Sequence, residues 1–266
     1  MRFPRLVSFS LALLLNSAPL LSQQPSPTAQ RDPQATTVIN LALNAAGGIA
    51  ALSQIQDYTG SGTIVYSWAD SQVQGSVTVK GRGLAQFRLD ATLPAGVRSF
   101  IVSNGTGSLR ELDGTTTPIP YYQAVNFGSS VVFPLVHLLA ALLNTSTNIT
   151  YQGLVTRAGH QVHDIRVQGL SAPAATTAGV QANIPAQDFF IDSSTFQVIS
   201  TLGKAYPKDG SLSAAPAEVQ FSDYRQVNGI LLPFAVTTLI AGQSASAIQL
   251  NQVTFNNNLT DSDFRP

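Results

Sequence analysis

The sequence predicts an α+β fold in which a large curved antiparallel sheet of about ten strands carries two main helices. Three observations lead there. From Thr63 to Asn256 the chain is a succession of short runs with apolar residues at alternate positions, split by Gly, Asp and Asn turns. Only two segments, one at each side of the first strands, show helical spacing. Consecutive strands joined by such short turns pair as antiparallel neighbours, with helices packed on the oily face.

The elements follow in order. The first helix is predicted to start near Thr36 or Thr37, with Val38, Ile39, Leu41, Ala42, Ala45 and Ala46 on its apolar stripe. Gly47-Gly48 ends it, because glycine is a poor helix former and a good C-terminal cap, and a further turn covers Ile49–Ile55. Strands are expected over 63–68, 73–79, 84–91, 97–103 and 108–112. The stretch 113–129, with Pro118, Pro120 and Gly128, reads as loop. Val131–Leu143 (VVFPLVHLLAALL) is the second helix. Ser129 or Ser130 can cap it, and Pro134 falls in its first turn, where a missing N–H costs little. The segment is apolar nearly all round, with His137 its one strongly polar side chain. A surface helix needs a polar face, so this one must be covered on both sides. Strands resume over 149–157, 161–169, 188–191, 196–204, 218–226, 230–241 and 244–256, with 170–186 left as a loop. Asp192-Ser-Ser-Thr195 is a turn initiated by Asp, and Val227-Asn-Gly229 and Ala241-Gly-Gln243 are hairpin turns. On the strand 230–240 the oily face is Ile230, Leu232, Phe234, Val236 and Ile240.

The N-terminus is built for export. Arg2 and Arg5 precede an apolar run from Leu6 to Leu15, and Ser17, Ala18 and Ser22 offer small residues for cleavage, so 1–22 reads as a signal peptide. Asn16 and Pro19 interrupt the run well short of the roughly 20 apolar residues a membrane span needs. Residues 23–36 (QQPSPTAQRDPQAT) have a linker composition, which leaves 37–266 as one domain. A periplasmic or secreted location is expected, with no integral span after cleavage.

Composition excludes several functions. The 266-residue chain has no cysteine, so it carries no disulfide, cysteine nucleophile or thiolate metal site. Its formal charge is zero, and without Arg2 and Arg5 acidic residues outnumber basic ones by two. No basic block is present, which argues against nucleic acid as a partner. No GxSxG, HExxH, P-loop or GxGxxG motif occurs, so no catalytic residue, cofactor or metal is assigned. His160 and His163 invite a metal reading, but positions three apart on a strand face opposite sides. Asn104-Gly-Thr-Gly joins two strands with no helix following, and reads as a hairpin turn rather than a phosphate loop. Arg82, Arg88, Arg98 and Arg110 lie on neighbouring strands, as a cationic strip or as ordinary solvent-facing positions. The excess of apolar surface leaves two alternatives: a hydrophobic cavity under the second helix, or a packed core plugged by it.

The C-terminal third carries a resemblance. Phe221-Ser-Asp-Tyr-Arg-Gln-Val-Asn-Gly-Ile-Leu-Leu-Pro-Phe, then Ile248-Gln-Leu-Asn-Gln-Val-Thr-Phe-Asn-Asn-Asn-Leu-Thr-Asp-Ser-Asp-Phe-Arg-Pro, resembles the end of LolA-like and LolB-like periplasmic lipoprotein carriers. The turn at Asp192, the opening helix with Gly47-Gly48 and Phe87-Arg-Leu-Asp fit the same pattern, which spans most of 37–266. The resemblance implies an open half-barrel with helices across its concave face, binding acyl chains or a lipidated polypeptide without catalysis or cofactor. Val131–Leu143 would then be a lid. The candidate cavity residues are Val131, Phe133, Val136, Leu139 and Leu143 on the helix, with Ile230, Leu232, Phe234 and Val236 on the sheet. The expected partner is a hydrophobic ligand or acylated protein. The alternative is a periplasmic protein-interaction or sensor module with a packed core and no lipid cargo.

Overall fold

A computed structural model describes residues 29–68, 71–119, 133–169, 186–206 and 214–266. Residues 1–28, Val131 and the expected caps Ser129 and Ser130 lie outside them.

Helix α1 spans Pro33–Ala45 and the single turn α2 spans Ile49–Leu52. Six strands follow: β1 (Asp57–Trp68), β2 (Ser71–Arg82), β3 (Gln86–Leu93), β4 (Gly96–Ser103), β5 (Thr106–Arg110) and β6 (Thr116–Ile119). Helix α3 spans Pro134–Leu143. Seven more strands complete the chain: β7 (Asn148–Arg157), β8 (His160–Gln168), β9 (Gln187–Asp192), β10 (Val198–Ala205), β11 (Ala215–Val227), β12 (Ile230–Ile240) and β13 (Gln243–Phe255), before a 3-10 turn at Asp261–Phe264.

The strands form one antiparallel sheet of thirteen, in the order β6-β5-β4-β3-β2-β1-β13-β12-β11-β10-β9-β8-β7. The class is as predicted, with more strands than the ten expected. The strand with no predicted range is β6, which falls in the stretch read as loop: Pro118 argues against a strand, yet a four-residue edge strand tolerates proline. The ends β6 and β7 do not pair, so the sheet is open. A sheet this wide curls rather than lying flat.

Register sorts the side chains onto two faces. Tyr58, Ile64 and Tyr66 of β1 sit beside Val79, Val77, Ile248 and Leu250 on an inner face, and Ile165 and Phe189 continue it toward β7. These residues, α1 and α3 form a single core cluster. Gly81 lies opposite Tyr58, and a Cβ there would run into the tyrosine ring. The glycine therefore makes room for the aromatic that α3 rests on.

Helix α1 begins at Pro33, earlier than the periodicity alone predicts. Asp32 is its N-cap, accepting from the amides of Gln34 (2.7 Å) and Ala35 (3.1 Å), with proline at the first helical position. Upstream, Gln30 and Arg31 run parallel to β7: the Ile149 amide donates to the Gln30 carbonyl and the Asp32 amide to the Ile149 carbonyl, both at 2.8 Å. The predicted turns form as expected. The Asp192 carboxylate accepts from the amides and hydroxyls of Ser194 and Thr195. Burial opposes its ionisation, but these bonds and His160 hold it below the usual carboxylate range. Asn104-Gly105, Asn228-Gly229 and Ala241-Gly242 all take positive φ, the geometry of tight hairpins.

The C-terminal motif has a mechanical role on the outer face. The buried Asp57 carboxylate accepts from the amides of Asn257 (2.6 Å) and Leu259 (3.0 Å). Lys80 pairs with Asp263 at 2.8 Å, Arg82 pairs with Asp261, and Arg88 donates to the Arg265 carbonyl at 2.7 Å. Lys80 and the Thr260 amide hold the Asp263 carboxyl down to about 2. Phe264 is 1% exposed. The last residues are thus a strap across β2 and β3. The four arginines form no common strip: Arg82 and Arg88 hold the strap, Arg98 lies over the Tyr66 ring and pairs with Glu111, and Arg110 is exposed.

Candidate functional site: the helix-covered inner face

Helix α3 lies across the inner face, against α1, α2 and β10. Pro134 occupies its first turn. Just before it, Phe133 is buried, edge-on to Tyr58 (centroids 5.8 Å apart) and stacked on Phe255 (6.2 Å). These contacts add to the large area that a buried phenylalanine removes from water. Leu135, His137, Leu138 and Ala141 are buried, while Val136, Leu139 and Leu142 are half-buried and pack on the core. Leu143 is 66% exposed and does not face the sheet: at the last helical residue the chain is already turning out toward Asn144.

The sheet residues Ile230, Leu232, Phe234 and Val236 are all buried in the same core as α3. Of the nine candidate cavity residues, the structure therefore gathers seven into this core. Leu143 stands outside it, and Val131 outside the described residues.

Among the described residues, helices and sheet pack closely. A cavity of about 10 Å³ remains, lined by Ala42, Ala46 and Leu135 from the helices and by Val198, Tyr224 and Leu231 from the sheet. That is room for about one water molecule. That space does not hold an acyl chain. Of the two sequence alternatives, cavity or plug, this conformation is the closed one.

Two features of α3 were not legible in its periodicity. The first is His137. Its ring is buried, edge-on to Phe189 at 5.3 Å, and its Nδ1 has no hydrogen-bond partner. Burial pushes the imidazole down to about 4, so it is neutral at pH 7. The second is Arg31. Its guanidinium donates to the carbonyls of Leu142 (2.7 Å), Asn144 (2.8 Å) and Ala141 (3.4 Å). Those of Ala141 and Leu142 lie in the last turn, where a helix leaves its carbonyls without an intrahelical donor; the Asn144 carbonyl also accepts from the Thr147 amide (3.1 Å), and a cation there favours the helix dipole. Arg31 belongs to a stretch with linker composition. The Asp32-Pro33 cap was the one local signal that structure begins there.

The histidines on β8 part company as strand geometry requires. His160 bonds Asp192 at 2.9 Å, and His163 bonds the Tyr151 hydroxyl at 2.9 Å. Among the described residues no group of three or more His, Asp or Glu is placed to hold a metal. No helix there is long and apolar enough to cross a membrane.

Neither a protein-family model nor a curated relative matches the sequence. The fold does have counterparts among solved structures. A LolA superfamily protein from Nitrosomonas europaea is 9% identical, with a TM-score of 0.53 over 91% of this chain and 99% of that one. An outer membrane lipoprotein-sorting protein domain from Vibrio parahaemolyticus is 9% identical, with a TM-score of 0.51 over 86% of this chain and 95% of its own. A DUF1329 family protein from Desulfovibrio piger is 13% identical, with a TM-score of 0.50 over 88% and 98%. At these identities the likeness is one of architecture. The chain has a LolA-like fold, as its C-terminal pattern suggested.

Proposed function

We propose that this chain is an exported, non-catalytic carrier that holds a lipid, or the acyl chains of a lipoprotein, between the inner face and α3. The observation that carries this reading is α3 itself. A ten-residue helix with one polar side chain lies across a LolA-like open sheet, and Arg31 from a separate segment donates to the carbonyls at its C-terminal end. Signal-peptide export and a periplasmic location belong to the same proposal. Each buried methylene of an acyl chain contributes about 0.8 kcal/mol, so roughly a dozen supply about 10 kcal/mol against helix displacement and ordering costs.

The test is mass spectrometry of organic extracts from protein purified after native export, beside a Leu139→Asp variant. A stoichiometric lipid in the wild type, reduced in the variant, supports the carrier. Clean extracts, together with no uptake of a fluorescent fatty acid, refute it.

A second reading, a protein-interaction module, draws on the sheet edges. β6 is four residues long and carries Pro118, whereas β7 is ten residues long, with Leu154 53% and Val155 37% exposed. An edge of that kind can accept an added strand. A Leu154→Lys substitution that abolished a protein complex while sparing lipid content would favour this reading.

A further inference from the structure

The outer face, away from α3, holds a groove of about 540 Å³. That volume lies within the range of small-molecule sites. Its floor is a cross-strand row set by register, in which Ser200 of β10 sits opposite Gln220 of β11 and Gln220 opposite Thr237 of β12. Ser222 and Gln197 extend it. One wall is the tip of the β7–β8 hairpin, where Arg157 reaches across β9 and lies 3.8 Å over the Phe190 ring.

The charges around this groove are already satisfied. Arg157 is paired with Glu218 at 3.1 Å and His160 with Asp192 at 2.9 Å. Asp223 is held by Arg225 at 2.6 Å and by Gln249 at 2.9 Å. Each charge is opposed by a neighbour, so the groove presents neither an anion nor a cation with an unopposed partner. The neutral groups are in the opposite state. Among the described residues, the side chains of Ser200, Gln220, Ser222, Thr237 and Gln197 have no hydrogen-bond partner, although Ser200 is only 3% exposed. The groove therefore offers two amides and three hydroxyls, which donate and accept, with Ile199 and Ala158 supplying apolar contact.

Such a lining complements a ligand rich in hydroxyls, without charge, and with apolar C–H faces. We propose that the outer groove binds a short neutral oligosaccharide. This site is independent of the inner face, and its failure would leave the carrier reading untouched.

The test uses the full mature chain and three uncharged probes: maltotriose, cellotriose and triacetylchitotriose. Amide NMR shifts at Ser200, Gln220 and Thr237 should saturate with at least one probe below about 10 mM, the weak end of specific binding. Gln220→Ala combined with Thr237→Val removes two neutral hydrogen-bonding groups and should weaken that probe by about tenfold or more. Ser222→Trp, at an exposed position where folding is not at stake, should fill the groove and abolish the shifts. The proposal is overturned if no probe moves these amides at that concentration, or if Ser222→Trp binds as the wild type does. It is also overturned if inorganic phosphate moves them at lower concentration than any sugar.

Discussion

Acid should destabilise this protein through His137, and replacing that residue should remove the effect. The imidazole is pushed from 6.5 down to about 4 by burial, while in the unfolded chain it titrates at its ordinary value. Above pH 6.5 it is neutral in both states and carries no penalty. As pH falls below 6.5 the unfolded state takes up a proton that the folded state refuses, so stability drops by about 1.4 kcal/mol per pH unit. The loss is complete near pH 4 and totals about 3 kcal/mol, of which about 2 kcal/mol is spent by pH 5. His137→Leu keeps most of the volume and has nothing to titrate. Asp164 works in the opposite direction: burial and the Asp188 charge raise its carboxyl to about 6, so it favours the folded state as pH falls below that value. It is present in both proteins and cancels in their difference. Urea unfolding followed by far-UV circular dichroism at pH 7, 6, 5 and 4 gives the two curves. The wild type should lose ground on the variant steadily between pH 6.5 and 4. Parallel curves would refute the burial of a neutral His137 between α3 and the sheet.

Three further outcomes are expected. Arg31→Ala removes the guanidinium's bonds to the carbonyls of Leu142 and Asn144; α3 should lose hydrogen-exchange protection ahead of the strands, at a cost of about 1.5–3 kcal/mol for bonds to a charged group. Phe133→Ala empties the contact with Tyr58 and Phe255 and should cost about 3–5 kcal/mol in denaturant unfolding. Gly81→Ala drives a methyl into the Tyr58 ring and should cost about 1–3 kcal/mol by the same assay, with Tyr58→Leu in the same chain recovering part of it.

How far the sequence could be read depended on whether a signal was local. Alternation and turn chemistry reported β12 and β13 to within a residue, and β11 with its start three residues late, because hairpins such as Asn228-Gly229 fix their own register. The all-apolar helix announced its own burial, since no arrangement leaves Leu135, Leu138 and Ala141 dry without cover. What stayed hidden was set by distant partners. Arg31 looks like linker until α3 is placed above it. Arg82 and Arg88 look like solvent-facing charges until the last residues return across β2 and β3. Leu143 fits the apolar run in every respect except that the helix ends there. Polar Ser200 and Thr237 lie on separate strands, and only pairing through Gln220 makes them neighbours.

The position of β1 between β2 and β13 has a consequence for how the chain is made. The early strands can pair with one another as they appear, and so can those from β7 to β12. The seam joining the two halves, where Tyr58 meets Phe255 and Ile64 meets Ile248, awaits almost the last residues. Until then each half carries an unpaired edge, the state most open to wrong pairing, and closure over so long a span is intrinsically slow. A chain stopped before Gln243 would be two meanders without a joint. Under the proposed export from the N-terminus, this arrangement would defer commitment to the sheet until β13 has crossed.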